Sequence, residues 1–179
     1  MSESGLDKPQ WYVLRFLYRN QVKVRAKLEE DGIETFSPSV PVLELKNGKY
    51  VRTYKPVVRD LFFVHSLKNI IDPYVARYEN LQYMYKKGGK YKEPLVVPDD
   101  QMDQFVKAVN LSAHPLYFKI DELDLERGTR IRLIGGDMNG YEGVLLKVRG
   151  AREKRLIVEI PNTLVAAVEV NPDLVEIID

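Results

Sequence analysis

The chain has 179 residues, of which 45% are hydrophobic and 30% charged, with a formal net charge of +1 and no cysteine. This is the composition of an ordinary globular protein of one large or two small domains, and it excludes disulfides, thiolate metal sites and a cysteine nucleophile. No apolar run approaches the ~18 residues of a membrane span, and "MSESGLDKPQ" lacks the basic-then-apolar pattern of a secretory signal, so the expectation is a cytoplasmic protein with no membrane contact and a short flexible arm at residues 1–9.

"WYVLRFLY" (Trp11–Tyr18) is aromatic and β-branched, and predicts a buried strand. "NQVKVRAKLEEDG" predicts a helix with Asn20 as N-cap, Gly32 as its stop and Val24 and Leu28 on one face. Two extended segments follow, "IETFSPSVPVLEL" and "KYVRTYKPVV", joined by "KNGK", where an Asn-Gly pair is a strong hairpin signal. "LFFVH" predicts a core strand. "DPYVARYEN" predicts a short helix capped by Asp72 with Pro73 at its first position, and "LQYMY" a further strand. In "VPDDQMDQFVKAV", Met102, Phe105, Val106 and Val109 recur at i, i+3, i+4 and i+7, the face of a helix. Together these predict an α+β sandwich domain, an antiparallel sheet with helices, over residues 10–110. Residues 111–126, acidic and proline-containing, predict a linker. Residues 127–179 predict a small closed all-β barrel from period-two alternation, as in Ile131/Leu133, Leu156/Val158/Ile160 and Ala166/Val168/Val170.

Charge is unevenly placed. Between Glu44 and Lys92 there are 11 Lys/Arg against 4 Asp/Glu, a net of +7 inside a nearly neutral chain. Either this is a solvated lysine-rich face or it meets an anionic partner. Within it, "YMYKKGGKYKEP" interleaves Tyr83, Tyr85 and Tyr91 with Lys86, Lys87, Lys90 and Lys92. Lysines neutralise phosphates, and tyrosines stack on unpaired bases. In "VRGAREKR", Arg149, Arg152, Lys154 and Arg155 surround Gly150 at an expected hairpin tip.

Catalytic patterns are missing. His65 and His114 have no metal-ligand spacing, neither a GxSxG elbow nor a Walker GxxxxGK[ST] occurs, and the carboxylates are unpatterned. The glycine-rich "GGDMNGYEG" leads straight into the strand "VLLKV", without the helix N-terminus or Lys-Ser/Thr end of a phosphate cradle. It reads as a turn that lets two strands approach. The expectation is a protein that binds without catalysing, and without a cofactor or metal.

Taken in order, "WYVLRFLYRNQ", "YKPVVRDLFFVH" and "MYKKGGKYKEPLVVP" resemble the N-terminal (NGN) domain of the NusG family of transcription elongation factors. "GTRIRLIGGDMNGYEGVLLKV" resembles the KOW motif that opens the SH3-like C-terminal barrel of that family. Where general factors of the family carry a Phe-Pro-Gly-Tyr-like turn, this chain has Val58-Arg59-Asp60-Leu61, which resembles a specialised paralogue of the RfaH or UpxY kind, antiterminators often acting on polysaccharide operons. The resemblance implies docking on the clamp helices of the RNA polymerase largest subunit through Trp11, Val58 and Leu61, with Tyr83 and Tyr85 as further candidates. It implies that Arg15, Arg19 and Lys23 meet non-template DNA; Lys86, Lys87, Lys90 and Lys92 are, from their own pattern with the tyrosines, either nucleic-acid contacts, to non-template DNA or nascent RNA, or a solvated hairpin. It also implies that the barrel recruits a ribosomal protein or termination factor, for which Met138, Tyr141, Arg149 and Arg152 are the candidate contacts. A general NusG-type elongation factor and a KOW-type RNA-binding or ribosome-associated protein remain the alternatives.

Overall fold

The computed structural model describes residues 8–18 and 21–178; the expected cap Asn20 and the candidate Arg19 lie outside the described residues. The chain divides into two compact units after Pro98. In the first, the strands β1 (Gln10–Phe16), β2 (Glu34–Phe36), β5 (Leu61–Ser66), β6 (Leu81–Tyr83) and β7 (Val96–Val97) form one sheet, and β3 (Ser39–Lys46) and β4 (Lys49–Pro56) a separate two-stranded one. The helices are α1 (Gln21–Glu30) and α2 (Lys68–Arg77). The strand order is β2-β5-β1-β6, with β7 also on β1, and every pairing is antiparallel.

Pleating sends alternate residues of β1 to opposite faces. Tyr12 and Leu14 join Phe62, Val64, Leu81 and Tyr83 in a buried cluster that includes Val24 and Leu28 of α1 and Ile71 of α2. Trp11 and Val13 point the other way with Leu61 and Phe63, and are buried there. As expected, α1 turns its Val24–Leu28 face inward and ends at Gly32.

Helix α2 corrects the sequence expectation. It starts at Lys68, so Asp72 is not its cap and Pro73 stands inside it. Leu67 takes the cap position, its carbonyl accepting from Ile70 and Ile71. Proline lacks the N–H that an interior helical position donates, which normally argues for a helix start. Here the extra N-terminal turn buries Ile71 and brings Lys68 and Asp72 together at 3.0 Å.

The β3–β4 hairpin follows its sequence signal. Asn47 and Gly48 both take positive φ, 51° and 76°, as a two-residue type I′ turn requires. The register runs from Ser39↔Pro56 to Lys46↔Lys49 without a break.

In the second unit, α3 (Asp99–Leu111) precedes β8 (Leu116–Phe118), β9 (Thr129–Leu133), β10 (Glu142–Leu146), β11 (Arg155–Ile160), β12 (Leu164–Val168) and β13 (Val175–Ile177). These strands make a six-stranded antiparallel sheet in the order β13-β9-β10-β11-β12-β8, and α3 lies against β11 and β12. Within α3 the buried residues are Met102, Phe105 and Ala108, whereas Val106 and Val109 stay half-buried. The stretch expected as a linker holds β8 and two single-turn 3-10 segments, Ile120–Glu122 and Leu125–Arg127.

Alternation in this sheet is overridden at its centre, because β12 is buried at all five positions and β11 at five of six. One face carries Leu156, Val158 and Ile160 opposite Val168, Ala166 and Leu164. The other carries Ile157, Val165 and Ala167 with Phe118, Leu146 and Val148, over which Leu116, Leu123 and Leu125 pack. No helix among the described residues is long and apolar enough to cross a membrane.

Gly143, within β10, stands where a side chain would collide with its neighbours. A Cβ there would stand 2.9 Å from Leu156 Cδ1 and 3.0 Å from Tyr141 Cε1, and Leu156 is fully buried. Gly143→Val should therefore destabilise the C-terminal unit by about 2 kcal/mol or more, in the range of core overpacking. Thermal unfolding followed by circular dichroism should show a lowered transition, and an unchanged one would contradict this packing.

Candidate functional site

Two surfaces carry the candidate residues of the first unit: the turn that enters β5 and the loop after β6. The turn is held from several sides. Gln21, fully buried at the start of α1, donates through Nε2 to the carbonyls of Val58 (2.7 Å) and Leu61 (2.5 Å), and its backbone N–H donates to the Arg59 carbonyl. Val57 N–H donates to Pro38, and Phe16 N–H to Asp60, each at 2.8 Å. Arg15 and Asp60 pair at 3.5 Å, both side chains partly exposed. Gln21 was missed in the sequence; the only available signal was an uncharged polar residue opening a helix beside an apolar strand.

Trp11 and Leu61 share a sheet face, Leu61 next to this turn and Trp11 at the far end of the ladder, but they are only 7% and 6% exposed. Trp11 stacks on His65, its partner across the ladder, at 4.9 Å between ring centroids. Val58 is half-buried.

Tyr83 lies on the opposite face, opposite Leu14 in the register. It therefore does not share a surface with Trp11 and Leu61. Its ring meets Tyr12 edge-on at 5.7 Å, and its hydroxyl donates to Asp72 at 2.7 Å. Lys68 stands 5.3 Å above the ring and also holds Asp72. Burial, reinforced by that bond to the Asp72 carboxylate, pushes the Tyr83 phenol far above the usual tyrosine range.

Tyr85 opens the lysine loop and is half-exposed. It forms a bridge with Pro94, and inside this closure Lys86 N–H donates to the Glu93 carbonyl at 2.8 Å and Glu93 N–H to Lys90 at 3.0 Å. The Glu93 carboxylate turns inward to accept the Lys90 backbone N–H at 3.0 Å. Lys86, Lys87, Lys90 and Lys92 are all exposed. Tyr91 is 90% exposed, with Lys92 Nζ 5.5 Å from its ring centre. The loop thus has a fixed base and a solvated crown of four cations and an aromatic ring. Arg15 and Lys23 are exposed on β1 and α1.

The C-terminal candidates separate into two places. Met138 and Tyr141 sit in the β9–β10 turn, where Gly140 N–H donates to Leu133 at 2.7 Å and Tyr141 N–H to Met138 at 3.0 Å. Both side chains are half-buried, and burial raises the Tyr141 phenol. Arg149 and Arg152 lie beyond β10. Arg149 edges a cavity of about 380 Å³ with Phe118, Leu123 and Leu146. Arg152 edges a larger one of about 940 Å³ with Leu145, Val175 and Ile177. Arg155, expected at the hairpin tip, is instead buried, donating to the His114 carbonyl at 2.8 Å and pairing with Glu169 at 3.4 Å. A buried guanidinium needs such partners, and here they tie the segment after α3 to β11 and the end of β12.

Residues 9–106 match the family described as transcription termination factor NusG. A solved structure, "Domain interaction in Thermotoga maritima NusG", is similar over 98% of this chain and 100% of that one, at 17% identity and a TM-score of 0.49. No curated protein matches the sequence. The family match spans more than half of the chain, which therefore belongs to the NusG family, a family of non-enzymatic transcription factors. That membership implies binding to RNA polymerase.

The Tyr83–Asp72 bond has a measurable consequence. A tyrosine whose folded pKa is raised stabilises the fold fully below its unfolded value of about 10 and loses that contribution as pH rises further. Tyr83→Phe should lower stability at neutral pH by roughly 1.5–3 kcal/mol, the worth of a hydrogen bond to a charged group. It should also flatten the fall in stability above pH ~10. Urea unfolding at neutral and alkaline pH measures both; parallel pH curves for the two proteins would contradict the assignment.

Proposed function

We propose that this NusG-family chain is a specialised antitermination factor of the RfaH or UpxY kind, which rides on elongating RNA polymerase and suppresses pausing or termination on a small set of operons, polysaccharide operons among them. The observation that carries this reading is the loop from Tyr85 to Lys92. A fixed base presents four exposed lysines and two accessible tyrosines, on a domain whose family implies polymerase binding. Cations and aromatic rings in one loop suit an unpaired strand at the transcription bubble. The specialised assignment rests on Val58-Arg59-Asp60-Leu61, which stands where general factors of the family carry a Phe-Pro-Gly-Tyr-like turn.

In this account the NGN-like domain, expected over residues 10–110, ends with the first unit at Pro98, and α3 and β8 go with the strands of the KOW domain, expected over 127–179. The polymerase clamp helices meet the turn at Val58 and Leu61, with Trp11 farther along the same sheet face and Tyr85 as a further contact. Tyr83 serves only by holding β6 to α2. Arg15 and Lys23 extend the nucleic-acid surface over β1 and α1. Binding works by population shift: contact that is stronger in the processive state of the polymerase favours that state, and no bond is made or broken. The KOW domain recruits a ribosomal protein or a termination factor, through the Met138–Tyr141 turn or the groove beside Arg152.

Replacing Lys86, Lys87, Lys90 and Lys92 together by Ala should leave the fold intact and lower read-through of a terminator in a purified elongation assay by roughly tenfold or more, since several phosphate contacts are lost at once. The defect should narrow as salt is raised, because binding that loses phosphate contacts depends less steeply on salt. Read-through equal to the parent at all salt concentrations would remove the loop from the account. Occupancy mapped across the genome separates the specialised factor, found at a few operons, from a general one found on most transcribed genes.

A further inference from the structure

The second unit leaves one end of its sheet open. β13 is the last strand in the order and pairs only with β9. The Leu174 carbonyl accepts from Ile134 N–H, and Ile178 N–H donates to Arg130. The backbone groups of Leu174, Glu176 and Ile178 thus turn to β9, and those of Val175 and Ile177 turn to the open edge. The Val175 N–H is taken by the Pro172 carbonyl. The edge therefore offers one donor, the Ile177 N–H, and two acceptors, the Val175 and Ile177 carbonyls. Lysine, proline or a bulge commonly blunts such an edge. β13 has none of these: it reads Val-Glu-Ile in an unbroken ladder, and Glu176 is paired with Arg132 at 3.2 Å. Ile177 lies on the same face as its ladder partner Ile131, which is fully buried, yet Ile177 is 71% exposed.

We infer that an extended segment of an acidic partner protein adds to β13 as a further strand and lays one of its faces in the adjoining groove. In strand addition the main chain supplies affinity and alternate side chains supply specificity. The groove beside Arg152, of about 940 Å³, has Val175 and Ile177 in its wall and Leu145 and Val170 as further apolar lining. Apolar side chains entering from the edge would cover the exposed Ile177. The charge on this side is positive. Arg155 and Glu169 pair with each other at 3.4 Å, which leaves Arg152 and Lys154 against Glu153. Arg152 and Lys154 are exposed and make no ion pair among the described residues. The side chains of the added strand that face the groove are thus apolar at Ile177 and carboxylate at the Arg152–Lys154 rim. Those facing the other way meet Glu176 and gain nothing from being acidic. Neither Met138 nor Tyr141 lines this groove. The inference rests on the reading that this unit recruits a protein, and it selects between the two places which that reading leaves open.

Binding of fluorescein-labelled octapeptides to the full chain, read by anisotropy, is the test. In the probe, threonine fills every second position and the others are two valines followed by two glutamates; both chain directions are made. The controls carry lysine for glutamate, or the same residues in scrambled order. One direction of the glutamate probe should bind roughly tenfold tighter than either control. Ile177→Ser, at an exposed position, should weaken it roughly tenfold through the lost apolar contact. Methylating the backbone nitrogens of the probe should abolish binding, since strand addition needs those donors. Arg152→Glu with Lys154→Glu should turn the preference to the lysine probe. In a nitrogen–proton correlation spectrum, the Ile177 amide should shift when the probe is added. Circular dichroism should show both variants folded. Equal binding of the scrambled peptide, unchanged affinity in Ile177→Ser, or shifts centred on Met138 and Tyr141 would overturn the inference. Failure to capture RNA polymerase counts against the proposed docking and leaves these results unchanged; failure of the probe to bind counts against the groove and leaves the docking unchanged.

Discussion

A strand paired along both edges can answer only to its pleat, and β1 is placed under that constraint. It hydrogen-bonds β5 on one side and β6 and β7 on the other. Its backbone is thereby fixed, and each side chain has one face open to it. Tyr12 and Leu14 go to the core under α1 and α2, and Trp11 and Val13 to the opposite face with Leu61 and Phe63. Both candidate surfaces of the first unit hang from this arrangement. The Val57–Asp60 turn is tied to the end of β1 through Phe16, and the lysine loop closes beside it through Met84 and Leu95, whose backbones bond the strand at Val13. A shift of one residue in β1 would exchange its two faces and take Tyr12 and Leu14 out of the core.

Local signals carried much of the fold. The Asn47-Gly48 turn, the Val24–Leu28 helix face and the alternation through Leu156, Val158 and Ile160 all depend on neighbours in sequence, and all appear in place. The misread features depend on partners far along the chain. Pro73 looks like a helix start until Ile71 is seen to need burial one turn earlier. Arg155 looks like a solvated tip residue until His114 and Glu169 supply its partners. The same limit applied to the candidate site. The loop lysines stand out because they are consecutive. Gln21 does not, because its two acceptors lie 37 and 40 residues away.

The two units use opposite strategies for their polar surfaces. In the first, positive charge is concentrated on projecting features, the lysine loop and the hairpin, while carboxylates such as Glu93 and Glu44 are engaged in local bonds. In the second, charge is largely self-neutralised, with Arg132 bonded to both Glu142 and Glu176, and two cavities are edged by Arg149 and Arg152. The first pattern suits an anionic strand and the second a protein partner. That division fits a factor whose first domain engages the transcription complex and whose second recruits something to it.

The central claim is that this chain docks on RNA polymerase by protein contact. Affinity capture of the tagged chain from its own cells, with and without nuclease, tests it most directly. The account predicts that the largest polymerase subunits are retained after nuclease treatment. Capture of ribosomal RNA and ribosomal proteins with no polymerase subunits, under either condition, would contradict it.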